Sequence, residues 1–219
     1  MDSFTRHLTS LQRAVAEILK AVSTGYLSGG TALSGYLGHR GSLDVDLFVG
    51  EALDVDVAAS TLLHHASGVG WTVEELRRSP GFRRFRVGCG SDSTLVDIVH
   101  EVVPQLVPLA EKPVHGGLRV DSLDDLVANK LCAVLGRSEV KDLVDLYFIE
   151  ESGIDVLAYL RAARGKDGGM EPATLGFVLG QMPTDPVGLD LLKPLSEDQL
   201  AEFRDRLVAG LVRIAWPGP

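Results

Sequence analysis

Asp44 and Asp46, one residue apart, are the side chains here best placed to do chemistry. Two carboxylates so close repel each other, and keeping both ionised on an otherwise apolar segment is costly unless something positive sits between them. Mg²⁺ suits that place, because it takes hard oxygen ligands and binds through a few carboxylates together with substrate phosphates. Upstream, Gly29-Gly30-Thr31 supplies the complement. Glycines at a corner let backbone N–H groups approach a phosphate, and a helix N-terminus favours its negative charge. Read separately, the aspartates are as well a solvated edge strand and the glycines a plain turn. Read together, Gly29, Gly30 and Thr31 cradle the phosphates of a nucleoside triphosphate whose metal is held by Asp44 and Asp46.

Those residues need elements to hold them. Leu43, Val45, Leu47 and Phe48 precede, interleave with or follow the aspartates, and this period-2 pattern predicts a strand with both carboxylates on one face. Tyr26-Leu27-Ser28 reads as a short strand that breaks at the glycines and continues as a helix from Thr31 to about Leu37. Ser3 is placed to cap a first helix whose Leu8, Leu11, Val15, Ile18, Leu19 and Val22 follow helical spacing. Residues 54–67 read as another helix, closed by His64-His65, whose charge would complement the helix C-terminus. Adjacent histidines point about 100° apart on a helix and make a poor metal pair.

Residues 71–76, 82–87 and 94–103 predict neighbouring strands, the first two joined through Ser79-Pro80-Gly81. In the second, alternation puts Arg84 and Arg86 on one face and Phe85 and Val87 on the other. With Arg77, Arg78 and Arg83 nearby, that makes a basic ridge for a nucleic-acid acceptor, or else a solvated hairpin whose arginines pair with neighbouring acids. The third strand is almost wholly apolar yet carries Asp97, a costly lone acid that by itself reads as the partner of an arginine.

Helical patterns dominate after residue 120. Ser122-Leu123-Asp124-Asp125 resembles a capping box, and the helix over 123–135 buries Leu126, Val127, Leu131 and Val134. Lys130 and Arg137 lie two turns apart on one face. A second helix over 139–151 carries Lys141, Asp142 and Asp145; taken alone, Lys141 and Asp145 are an i, i+4 surface pair and Lys130 is solvated. Helices are also expected over 154–163, 172–179 and 196–216, separated by flexible connections at 165–169 and 182–186.

The string Gly29-Gly30-Thr31-Ala32-Leu33, then His39-Arg40-x-Ser42-x-Asp44-x-Asp46-Leu47-Phe48, resembles the nucleotidyltransferase superfamily, and within it the AbiEii-type nucleotidyltransferase toxins. A second block, Lys130-Leu131-x-Ala133-x-x-x-Arg137-x-x-x-Lys141-Asp142-x-x-Asp145-Leu146, is similar to one that this family carries after its Asp-x-Asp strand. The resemblance covers about residues 20–150. It implies an α/β (α+β) fold, with a mixed sheet and flanking helices over residues 1–120 and a helical part over 121–219 that closes the nucleotide cleft. It implies transfer of a nucleoside monophosphate from a nucleoside triphosphate to an acceptor hydroxyl, with a third metal-binding carboxylate in Asp97. Lys130 would contact the triphosphate, Arg137 is a further candidate for that contact, and Asp142 would position Lys130 or the acceptor. The implied partners are a cognate antitoxin and, for some members, transfer RNA.

Composition narrows the rest. With 219 residues, 45% of them hydrophobic and 23% charged, the chain can bury a sizeable core. A net charge of −9 counts against a general nucleic-acid coat protein, which gains affinity by neutralising phosphates. No apolar run is long enough for a membrane span, and charges interrupt the first apolar positions, so neither a membrane partner nor a signal peptide is expected and the cytoplasm is the expected place. Cys89 and Cys132 lack metal or disulfide spacing and read as buried thiols. A metal-dependent glycosyltransferase also uses Asp-x-Asp but does not call for the glycine corner. A catalytically inactive interaction protein of the same fold has no reason to keep like charges together. A phosphate-loop enzyme is excluded, since no G-x-x-x-x-G-K-[ST] string occurs.

Overall fold

The computed structural model describes residues 3–217; the outermost ends of the two regions delimited above, residues 1–2 and 218–219, lie outside the described residues. In chain order, α1 (Ser10–Leu19), β1 (Gly25–Ser28), α2 (Gly29–Leu37), β2 (Asp44–Val49) and α3 (Ala52–Val69) precede three consecutive strands. These are β3 (Thr72–Ser79), β4 (Phe82–Cys89) and β5 (Asp92–His100), followed by a small hairpin of β6 (Val114–His115) and β7 (Leu118–Arg119). The helices α4 (Leu123–Arg137), α5 (Val140–Glu151), α6 (Leu160–Lys166), α7 (Pro172–Gln181) and α8 (Glu197–Ala215) complete the chain. Two compact units result: one runs to Val103 and resumes over Val107–Ser122, the other takes Pro104–Leu106 and everything from Leu123.

The first unit is a mixed sheet in the order β1-β2-β5-β4-β3. β2 and β5 pair in parallel, and the other pairings are antiparallel. The pleat sends Val45, Leu47, Val49, Phe85, Val87, Val96 and Ile98 to one face, where all are buried. Helices α1 and α3 cover that face, with Leu11, Val15, Ile18 and Leu19 on one and Val55, Ala58, Ala59 and Leu62 on the other. The opposite face therefore receives Asp44 and Asp46, as the alternation in β2 predicts.

Several local expectations change. The first helix starts at Ser10, not near Ser3, because Thr9 and Gln12 form a capping box: the Gln12 N–H donates to Thr9 Oγ1 and the Thr9 N–H to Gln12 Oε1. α3 runs past His64-His65 to a left-handed Gly70, so the exposed histidines sit short of its last turn and do not complement its C-terminus. Cys89 is exposed at the end of β4 instead of buried. Cys132 is half-buried and donates to the Ala163 carbonyl; burial, with the charge of Asp167, pushes its thiol up to about 11. No described helix is long and apolar enough to cross a membrane.

In the helical unit, α4 buries Leu126, Val127, Leu131 and Val134, and α5 buries Leu143, Leu146 and Ile149. α8 opens with the capping box of Ser196 and Gln199, and its Leu200, Phe203, Leu207 and Leu211 form the apolar stripe that packs on α7. The helix expected over 154–163 is instead a 3-10 turn, Val156–Tyr159, that runs into α6.

Candidate active site on the open face of the sheet

Strand register turns separate sequence positions into a row. Ser28 of β1 lies opposite Asp46 of β2, Asp46 beside Asp97 of β5, Asp97 opposite Arg84 of β4, and Arg84 opposite Arg77 of β3. Neighbouring strands are about 4.8 Å apart, and paired residues share a face. The open face thus carries two aspartates and then two arginines across adjacent strands, with Asp44 next to them along β2.

The glycine corner is built against this row. Gly29 opens α2 with φ +66, and a Cβ there would come within 1.9 Å of Asp46 Oδ2. Only glycine accepts both the left-handed backbone and that approach. A Cβ on Gly30 would meet the Arg40 guanidinium at 2.8 Å and Ser42 Oγ at 3.1 Å. Arg40 and Ser42, present in the motif but given no role from sequence, therefore line the corner. The Ser42 hydroxyl donates to Asp44 Oδ1 at 2.8 Å, and the buried Thr31 hydroxyl donates to the Asp44 carbonyl. Thr31, expected at the phosphates, has its hydroxyl on the strand backbone.

Further pins went unread in the sequence. Gln12 Nε2 donates to the Ser42 carbonyl at 2.7 Å, and Thr94 Oγ1 to the Leu43 carbonyl at 3.1 Å, so α1 and β5 together fix the approach to Asp44. The Ser28 hydroxyl, one residue before the corner, donates to Asp121 Oδ2 at 2.7 Å, while the buried Lys112 Nζ donates to Asp121 Oδ1 at 2.6 Å and lies over the Tyr26 ring. Lys112 and Asp121 lie in a stretch with no periodicity, and no spacing marks them. Gln12 carried a signal in the Thr-x-x-Gln pattern, though for capping alone.

Asp97 is buried and paired. Arg84 Nε donates to its Oδ1 at 2.6 Å and Arg84 Nη2 to its Oδ2 at 2.5 Å. The hydrogen bond that Arg84 donates to Asp97, offset in part by burial, and the charges of Asp97, Asp44 and Asp46 raise the Arg84 guanidinium above its ordinary value. Three of the other arginines of the ridge also have acidic neighbours. Arg83, on the helix-covered face, is held by Glu75 and Asp56; Arg78 reaches Asp56 and Arg86 reaches Glu74. Arg77 lies over the Phe82 ring.

In the helical unit the second block forms a buried charge cluster. Lys130, 4% exposed, contacts Asp142 at 3.1 Å and Asp145 at 2.5 Å. Arg137 Nε and Nη2 donate to Asp142, each at 2.7 Å. Burial pushes Asp142 up, but the hydrogen bond from Arg137 and the charges of Lys130 and Arg137 outweigh it and hold the carboxyl below its usual value. Lys141 pairs with Glu139 rather than with Asp145, which α5 turns inward.

Asp44 and Asp46 supply hard anionic oxygens on one open face, and such a donor set suits a divalent cation of the magnesium type. Against known proteins, the sequence profile of a family described as nucleotidyl transferase AbiEii toxin, type IV toxin–antitoxin system, matches residues 19–217. No curated protein sequence matches the chain. Among solved structures the chain is similar to MenT4, a nucleotidyltransferase toxin from Mycobacterium tuberculosis H37Rv, with a TM-score of 0.52 and 16% identity over 95% of this chain and 88% of that one. At that identity the likeness speaks for the fold.

Proposed function

This chain belongs to the AbiEii family of nucleotidyltransferase toxins of type IV toxin–antitoxin systems, and from that premise we propose that it moves a nucleoside monophosphate from a nucleoside triphosphate to a hydroxyl of an RNA acceptor. Transfer RNA is the first candidate acceptor, the cytoplasm the place of action, and a cognate antitoxin the partner that a system of this type entails. One observation carries the reading: Asp46 lies so close to Gly29 that no side chain fits between them, which supports taking the carboxylate pair and the glycine corner as one site.

Asp44 and Asp46 are the residues that would hold Mg²⁺. Bound there, the ion supplies charge that neutralises the leaving pyrophosphate and lowers the pKa of the acceptor hydroxyl. The chain's own residues prepare that place. Ser42 and Thr31 fix Asp44 at its carboxylate and its carbonyl, and the start of α2 offers backbone N–H groups to a phosphate. Within the helical unit, Asp142 orients the half-exposed Arg137, and Lys130 supports Asp142.

A labelling reaction tests this: purified protein, Mg²⁺, each nucleoside triphosphate labelled at its α-phosphate, and total cellular RNA. The parent is expected to label RNA and Asp46→Asn to leave it unlabelled. No labelled RNA with any of the four nucleotides would reject RNA as the acceptor, and transfer from a sugar nucleotide instead would reject the donor.

A further inference from the structure

Arg84 stands one strand beyond Asp97 and two beyond Asp46, about 10 Å from the latter at ordinary strand spacing. Asp97 takes it with both oxygens, a fork-to-fork geometry that uses the Nε–Nη2 edge of the guanidinium and sets its plane. The two ends of the pair differ in exposure: the Asp97 side chain is 8% exposed, that of Arg84 40%. The acid is thus enclosed, while the part of the guanidinium that it does not hold faces solvent on the same side as Asp44 and Asp46. A carboxylate gripped in this way has its charge compensated and one lone pair on each oxygen engaged, so a metal there would compete with the guanidinium. Among the described residues, no three His, Cys, Asp or Glu side chains converge as a ligand set.

We propose that Asp97 is the positioning residue of Arg84 rather than a third metal ligand, and that Arg84 binds the polyphosphate of the nucleoside triphosphate beside the Asp44–Asp46 pair. This rests on the metal-dependent nucleotidyltransferase reading above and assigns a residue to it. A polyphosphate matches what is offered, since a planar guanidinium with free N–H groups recognises phosphate oxygens directionally. Because Asp97 has already oriented the cation, little reorganisation is needed when the nucleotide arrives.

Metal and nucleotide affinity, measured separately, test the assignment. Mn²⁺ alone is titrated by electron paramagnetic resonance, and each nucleoside triphosphate by calorimetry in the presence of Mn²⁺, with thermal melts to verify folding. Arg84→Gln alone strands a nearly buried Asp97 and endangers the fold, so the deciding variant is the double Arg84→Gln/Asp97→Asn, a neutral hydrogen-bonding pair of similar shape. Asp97→Asn and the double variant are expected to keep Mn²⁺ affinity within about twofold of the parent. The double variant is expected to lose about tenfold or more in nucleotide affinity, the scale of a charge-assisted hydrogen bond, and Arg84→Lys to lose less by keeping the charge. The proposal is overturned if Asp97→Asn and the double variant lose Mn²⁺ affinity as fully as Asp46→Asn does, or if the double variant binds nucleotide like the parent. If Asp46→Asn itself binds Mn²⁺ like the parent, the metal reading has failed and the inference falls with it.

Discussion

Asp46 has a neighbour that leaves it no freedom on one side, and two predictions follow from that contact. Asp46→Asn keeps size and removes charge, so transfer should vanish while the melting temperature holds or rises as repulsion from Asp44 is relieved. A variant that retains most activity would sink the metal assignment. Gly29→Ala leaves both carboxylates in place but drives a Cβ into Asp46 Oδ2 at a positive φ. It should weaken Mn²⁺ binding, measured by titration, and cost about 1–3 kcal/mol of stability in urea, the range for such backbone strain. Unchanged Mn²⁺ affinity would mean that the corner and the carboxylate are independent. Both features stand out in the linear sequence because their partners lie within seventeen residues. The Arg84–Asp97 pair does not, since it depends on the register of two strands, and the sequence offers several arginines to choose from. Thr31 shows the complementary limit: its place in the motif was readable, but not that its hydroxyl turns to the Asp44 carbonyl.

At the scale of elements, α4 and α5 are clamped by Lys130 between Asp142 and Asp145, all three buried. Lys130→Met fills similar space but removes the charge that pairs with both buried carboxylates, so it should destabilise by about 3–5 kcal/mol, as broken buried ion pairs do. Urea unfolding measures this, and a midpoint like that of the parent would show that the cluster is not structural. The pH dependence has a definite sign. Asp142 is depressed when folded, so its contribution is present above the unfolded carboxylate value of about 4 and is lost as pH falls through the lower folded value. Asp142→Asn should therefore flatten the fall in stability below about pH 4; an equally steep fall in the variant would assign it to other acids. Helical spacing revealed α4 and α5 but not which way Asp145 points, because an i, i+4 pair with Lys141 and an inward pair with Lys130 are equally compatible with the pattern. Cap chemistry behaved the same way: the helix expected from residue 196 opens there on the Ser196 cap, whereas Thr9, six residues after Ser3, displaced the expected start of α1.

Across the whole molecule, the mixed sheet was implied by the resemblance, and the succession of strands and helices followed from apolar periodicity, which packing rewards directly. Charge distribution did not, because sequence gives where charges stand in the chain and not what they face. The arginines of β3 and β4 read either as a landing ridge for RNA or as a hairpin whose arginines pair with neighbouring acids. In the fold, Arg78, Arg83, Arg84 and Arg86 each meet a carboxylate, and alternation sends Arg83 to the face opposite Arg84 and Arg86. Apart from Arg77 and the edge of Arg84 that Asp97 does not hold, a phosphate approaching this hairpin must displace an acid to gain an arginine, and the chain's net charge of −9 repels it at longer range. An RNA acceptor should therefore bind with few released counterions. At about −0.7 per phosphate for a single strand, contact with fewer than about three phosphates makes the slope of log affinity against log salt shallower than about −2. Arg86→Gln, which breaks only an exposed pair with Glu74, should leave that slope unchanged. Filter binding of RNA across a salt series measures both. A steeper slope that Arg86→Gln reduces would restore the ridge as the docking surface, and a steep slope indifferent to it would move RNA binding to cations elsewhere on the chain.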